Sequence, residues 1–252
     1  MSKKLVILGA GCAGTMVANK LRKRLHRDEW TITIIDKDDK HVYQPGLLFI
    51  PFGIYQPEDI VRSRSEFLGK DIRFVIDEIV AIDAVQQRVE TVAGSYPYDQ
   101  LIVATGVSLA PGEIPGLLEG WQKVAFDFYT LEGAINLQKA MREFKGGKLV
   151  LNIAEFPFKC PVAPLEFVYL ADAYFTERGL RDKVEIRLVT PLPGAFTKPK
   201  ATSSLLICGH EITFSRVIMW TSFSDEPKTL PFGPTAFATI MSQFFLSSFS
   251  RA

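Results

Sequence analysis

An α/β fold made of two successive parallel units is predicted by three features of the sequence. A strand, a glycine turn, a helix and a second strand follow one another between residues 4 and 36. Helix and strand patterns then alternate again between residues 131 and 190. Finally, 252 residues at 47% hydrophobic content supply enough apolar side chains for more than one core.

Lys4 to Leu8 is a short apolar run of the kind buried on both faces of a sheet. Gly9-Ala10-Gly11-Cys12-Ala13-Gly14 follows at once. From Thr15 to Arg27 the spacing is helical, with Val17, Ala18, Leu21 and Leu25 on one side and Lys20, Arg22, Lys23 and Arg24 on the other. Thr31 to Ile35 is a second strand, ending at Asp36. His41 to Gly53 is rich in Pro, Gly and aromatics and too apolar for a solvated loop, so it is expected to pack on a large flat surface. Ile72–Ile76, Ile79–Asp83 and Arg88–Val92 read as strands of a meander, and Leu101–Gly106 as another buried strand. Val107 to Gly116, with Pro111 and Pro115, is the connector. The second unit reads as a helix over Leu131–Phe144 closed by Gly146-Gly147, a strand over Lys148–Ile153, a helix over Pro164–Arg178 and a strand over Val184–Thr190. Three segments result: 1–110, 111–202 and a tail, 203–252. The tail holds 7 of the 19 Phe and 9 Ser but only 6 of the 57 charged residues.

Charge and composition exclude several classes of function. With 29 Lys and Arg against 28 Asp and Glu and no basic stripe, nucleic-acid binding by phosphate neutralisation is not expected. Cys12, Cys160 and Cys208 are too scattered for a disulfide framework or a C-x-x-C zinc site, and His26, His41 and His210 lack H-x-x-x-H spacing, so no metal is expected. No stretch approaches the roughly 18 consecutive apolar residues of a spanning helix. Residues 1–18 read as a strand entering a glycine turn rather than a signal peptide, which predicts a cytoplasmic chain.

Gly9-x-Gly11-x-x-Gly14 gains its meaning from context. It follows a strand, opens a helix, and has Asp36 at the end of the next strand, 22 residues past Gly14. In that arrangement Gly9 permits the tight turn, Gly11 admits a pyrophosphate close to the backbone, and Gly14 lets helix and strand touch. The N–H groups of the helix start hold the anion, and Asp36 accepts from a ribose hydroxyl. A dinucleotide site is predicted.

Cys160 lies in Phe156-Pro157-Phe158-Lys159-Cys160-Pro161-Val162-Ala163-Pro164, just ahead of a helix. The helix's positive end and Lys159 both favour a thiolate there. An inert buried cysteine is the alternative. Glu166 and Asp172 on that helix are either proton-exchanging groups or solvated helix positions.

The order of elements after Asp36, together with Ala104-Thr105-Gly106, resembles the two-dinucleotide flavoprotein disulfide reductases of glutathione-reductase-like, Rossmann-like fold. Cys160 and its flanks, with His41-Val42-Tyr43-Gln44-Pro45-Gly46, resemble the sulfide:quinone oxidoreductases over about residues 3–202. That resemblance implies FAD, contacted by Gly9, Gly11, Gly14, Asp36, Pro45, Thr105 and Gly106. It implies Cys160 as the flavin-facing nucleophile that carries sulfide sulfur and works with a second, later cysteine; Glu166, from its place on the following helix, is the candidate proton acceptor. A quinone acceptor and peripheral attachment to a membrane surface follow from the same resemblance, and a homo-oligomer is compatible with it. Leu149 to Phe156 has no glycine triplet, which weighs against an NADH site. The alternatives are an NADH:quinone or general pyridine nucleotide-disulfide oxidoreductase, or a catalytically inactive FAD-binding fragment. After Thr202 the second Gly-Asp FAD motif and the partner cysteine are not found, and Cys208 is too close in sequence to serve. The fold is therefore expected to be incomplete at the C-terminus through truncation or a reading-frame change. The alternative is a genuine short variant whose Phe232, Phe237, Phe244, Phe245 and Phe249 dock on lipid or a partner, or fill a core.

Overall fold

A computed structural model describes residues 2–154 and 158–192, and the backbone of 212–216 and 236–240. Expectations about Cys208 and about the side chains of Phe232, Phe237, Phe244, Phe245 and Phe249 lie outside the described residues, as do Phe156 and Pro157. The described residues form two compact units, one of 2–43 and 60–107, the other of 44–59 and 108 onward.

The first unit begins with β1 (Lys3–Leu8), α1 (Cys12–Arg22) and β2 (Trp30–Asp36). The helix starts three residues earlier than its apolar spacing indicates, where the Thr15 N–H bonds the Gly11 carbonyl at 3.0 Å, and it stops at Arg22. After β3 (Lys40–Val42) the chain joins the second unit, and it returns through the one-turn helix α2 (Pro57–Ile60) to β4 (Val61–Ser63), which pairs antiparallel with β3. Then come β5 (Ile72–Ile76), β6 (Ile79–Asp83), β7 (Arg88–Thr91), β8 (Ser95–Pro97) and β9 (Gln100–Val103). A four-stranded parallel sheet of order β5-β2-β1-β9 results, with β6-β7-β8 as a separate antiparallel meander. Ile72–Ile76 therefore belongs to the main sheet and not to the meander. Ile72 is buried opposite Ile32 and joins the α1-facing core, which an edge position in the meander would not provide.

The sheet explains the unbroken apolar run of β1. Leu5 and Ile7 face α1 with Ala18, Ile32 and Ile34, while Val6 and Leu8 face Ile35 and Val89 of the meander side. Covering a parallel sheet on both faces removes the polar alternation of a half-exposed strand.

In the second unit a 3-10 helix, Gln44–Phe52, precedes α3 (Leu117–Gly120), β10 (Ala125–Phe126), α4 (Leu131–Glu143), β11 (Gly147–Ile153), α5 (Ala163–Glu177), β12 (Val184–Thr190), β13 (Ile212–Arg216) and β14 (Ala236–Ile240). The sheet is parallel, in the order β10-β14-β11-β12-β13. The apolar segment from His41 to Gly53 finds its large surface here. Leu47, Leu48 and Ile50 are buried, Gln138 donates to the Ile50 carbonyl at 2.6 Å, and the Phe52 ring lies 5.1 Å from Phe167. Phe167 is in turn stacked on Phe128 at 4.8 Å and 6°.

Asp127, 1% exposed, opens α4. It accepts from the N–H groups of Tyr129 (2.9 Å) and Thr130 (2.7 Å), from the Thr130 hydroxyl, and from the Gln122 amide at 2.9 Å. Burial holds its carboxyl above the ordinary value of 3.8, while these donors pull it back. A raised folded-state pKa means that the folded protein binds this proton more tightly than the unfolded chain. The group's contribution is therefore most favourable below its unfolded value and declines as pH rises through the folded one. Asp127→Asn should lose about 1–3 kcal/mol through donors left without an acceptor. The wild-type advantage in urea unfolding should be larger near about pH 4 than near about pH 7. An advantage that widens toward neutrality contradicts this account.

Candidate functional site

At the carboxyl ends of β1 and β2 the three glycines have three different reasons to be glycine. Gly9 has φ +91°, and a Cβ there would stand 2.4 Å from the Ala104 carbonyl oxygen and 2.8 Å from the Thr105 Cα. A Cβ on Gly14 would lie 1.8 Å from the Gly9 carbonyl oxygen. Gly11 is the exception: its φ is −72°, and a Cβ would meet nothing within 4 Å. Neither backbone nor packing requires glycine at position 11. The space it leaves open borders the start of α1, where no side chain caps the helix and the first turn holds no acidic residue. Unpaired N–H groups beside open space fit a pyrophosphate. Thr105 and Gly106 are exposed, and Gly106 takes φ +75° beside the same turn.

Asp36 is tied into this turn rather than freely solvated. Its Oδ2 accepts the Ala10 N–H at 2.7 Å and also Nη1 of Arg64, and its Oδ1 accepts the Lys37 N–H at 2.8 Å. Arg64 uses Nη2 on Asp38 Oδ1 at 3.1 Å. The β3–β4 pair brings Arg64 here, with its N–H on the Asp39 carbonyl at 3.2 Å. Asp39 is held below the ordinary carboxylate value, chiefly by the Ser63 hydroxyl. Nothing in the sequence around Arg64 marks it, because its partners lie 26 and 28 residues away.

Cys160 is exposed and has φ +56°, a left-handed backbone that a side chain rarely adopts. Its carbonyl accepts the Ala163 N–H at 3.1 Å, which closes the turn into α5. The residue before it is pinned twice. The Tyr129 hydroxyl donates to the Lys159 carbonyl at 2.6 Å, and the Lys159 ammonium donates to the Gln44 side chain. Burial, and to a lesser degree the charge of a Cys160 thiolate, hold the Tyr129 hydroxyl above its ordinary pKa, so it remains a donor. Burial lowers Lys159, and a thiolate at Cys160 works against that shift. Tyr129 and Gln44 carry no local sequence signal, since both reach Lys159 through tertiary packing.

Gly9, Gly11, Gly14, Asp36, Thr105 and Gly106 thus lie in the first unit, and Pro45, Cys160 and Glu166 in the second. Pro45 and Glu166 are solvent-exposed, in the 3-10 helix and the first turn of α5 respectively. Asp172 is bound to Arg181 at 2.5 Å, which takes it out of consideration as a free proton-exchanging group. Among the described residues no helix is long and apolar enough to cross a membrane.

Several known proteins are similar to this chain. Mitochondrial sulfide:quinone oxidoreductase of Mus musculus is 27% identical over 205 residues, which are 80% of this chain and 45% of that protein. Type II NADH:quinone oxidoreductase of Staphylococcus aureus is 37% identical over 143 residues, 56% of this chain and 34% of the relative. The crystal structure of the Aquifex aeolicus sulfide:quinone oxidoreductase superposes with a TM-score of 0.73 at 23% identity, covering 85% of this chain and 51% of that one. The chain spans about half the length of the relatives it matches or less. Residues 3–148 match the pyridine nucleotide-disulphide oxidoreductase family. Covering more than half of the chain, that match shows that the chain belongs to the pyridine nucleotide-disulphide oxidoreductase family, whose members are FAD-binding oxidoreductases.

Proposed function

We propose that the chain takes part in oxidising sulfide at Cys160, with FAD accepting the electrons and a quinone removing them. The observation that carries this reading is the exposed Cys160 in a left-handed conformation, held by the residue before it at the start of α5. FAD, when bound, supplies a two-electron acceptor that a quinone can reoxidise. Cys160 contributes the sulfur nucleophile. Joining its thiol to hydrogen sulfide breaks two S–H bonds, forms one S–S bond, and releases two protons and two electrons. The protons and electrons convert the quinone to its quinol. Lys159, beside Cys160, attracts the anionic hydrosulfide, and Glu166 in the first turn of α5 is the nearby carboxylate assigned to take a proton. Peripheral contact with a membrane surface fits a lipid-soluble acceptor.

The match to type II NADH:quinone oxidoreductases favours a second reading, in which reduced nicotinamide is the donor. Against it, residues 149–156 after the start of β11 carry no glycine to let a second pyrophosphate approach. The test is the visible spectrum of the flavin-loaded chain under anaerobic conditions. Bleaching of the flavin band by sulfide and not by NADH is expected. Bleaching by NADH alone selects the second reading, and a band that neither donor touches rejects both.

A further inference from the structure

We infer that Arg64 is a positioning and affinity residue for the adenosine end of FAD: it holds the Asp36 carboxylate against the glycine turn, where that carboxylate meets the ribose. The inference rests on FAD lying in the Gly9–Gly14 cradle with Asp36 at its ribose. Three observations carry it. Arg64 and the Ala10 N–H reach the same oxygen of Asp36, which places the guanidinium beside the turn itself. The two side chains are 12% and 13% exposed, so the pair is largely removed from water. Arg64 is also bonded to Asp38, and Asp39 adjoins, so one cation stands among three carboxylates.

Counting donors and acceptors shows how the ribose fits. A carboxylate has about four acceptor positions. Two on Oδ2 are taken by Ala10 and Arg64, and one on Oδ1 by Lys37, which leaves one for a ribose hydroxyl.

The experiment uses the full 252-residue chain freed of flavin. FAD affinity is measured by quenching of flavin fluorescence, ADP affinity by competition, and FMN, which lacks the adenosine, serves as the comparison. Arg64→Gln should weaken FAD and ADP by the same factor, about 10- to 100-fold, as expected for one or two charge-assisted hydrogen bonds. FMN affinity should change less than about twofold, because FMN does not reach this end. Arg64→Lys keeps the charge but not the fork, and should recover only part of the loss. Unchanged FAD affinity in Arg64→Gln, or equal losses for ADP and FMN, overturns the assignment. If Arg64→Gln does not fold, Arg64→Lys decides: wild-type ADP affinity overturns the assignment, and reduced affinity with FMN unaffected supports it. Gly11→Ala separates this inference from its premise. If it leaves FAD affinity unchanged, the cradle reading itself fails; if it weakens FAD while Arg64→Gln does not, only the role of Arg64 fails.

Discussion

Cys160→Ser should leave the flavin band intact and slow its bleaching by sulfide by about three orders of magnitude or more, the scale seen when a reacting nucleophile is removed. Serine preserves size and the turn hydrogen bond from Ala163 to the residue-160 carbonyl. It cannot form a persulfide, and its hydroxyl stays protonated at neutral pH. The left-handed backbone adds a sharper comparison. Position 160 sits at φ +56°, where glycine is at ease and a side chain carries strain of about 1–3 kcal/mol. Cys160→Gly should therefore be no less stable than the parent while losing the sulfide reaction as completely as Cys160→Ser. Stopped-flow bleaching with thermal unfolding checks both halves. A sulfide-dependent rate that survives in Cys160→Ser removes the cysteine chemistry from this chain.

A second large effect is expected inside the glycine motif, and it separates fold from ligand. Gly14→Ala puts a methyl 1.8 Å from the Gly9 carbonyl oxygen, a backbone atom that cannot rotate away. The resulting overpacking should destabilise the first unit by about 3–5 kcal/mol, a large fraction of what an ordinary domain has. Gly11→Ala meets open space and an ordinary φ, so its thermal midpoint should match the parent in the absence of FAD. Its effect should appear in FAD affinity alone, because the new methyl occupies room used by the pyrophosphate. If the two substitutions behave alike in flavin-free protein, the distinction between a packing glycine and a ligand glycine is wrong.

These two positions also show how far the sequence reaches. The spacing of Gly9, Gly11, Gly14 and Asp36 predicts a dinucleotide turn because the strand, turn and helix are contiguous, and local sequence controls local backbone. The apolar run of β1 likewise announces a strand buried on both faces. Ile72–Ile76 shows the limit. Its pattern is that of a strand in either sheet, and only the partner, Ile32 of β2 rather than the meander, decides which. The start of α1 is likewise set by a backbone bond that side-chain spacing does not record: the Thr15 N–H on the Gly11 carbonyl puts the first turn at Cys12.

By itself, then, the sequence determines that this chain has a parallel α/β fold, a glycine turn between strand and helix, and a cysteine ahead of a helix. Each of these is written in residues that are neighbours along the chain. What surrounds them is decided by tertiary structure. Arg64 reaches Asp36 across 28 residues, Tyr129 reaches the Lys159 carbonyl across 30, and Gln44 reaches the Lys159 ammonium across 115. Such partners are fixed by which strands pair and which faces pack, and those choices minimise exposed apolar area over the whole unit rather than along any one segment. The candidate site residues can be read from the order of residues, whereas the groups that hold them in place are known only once the chain has folded back on itself.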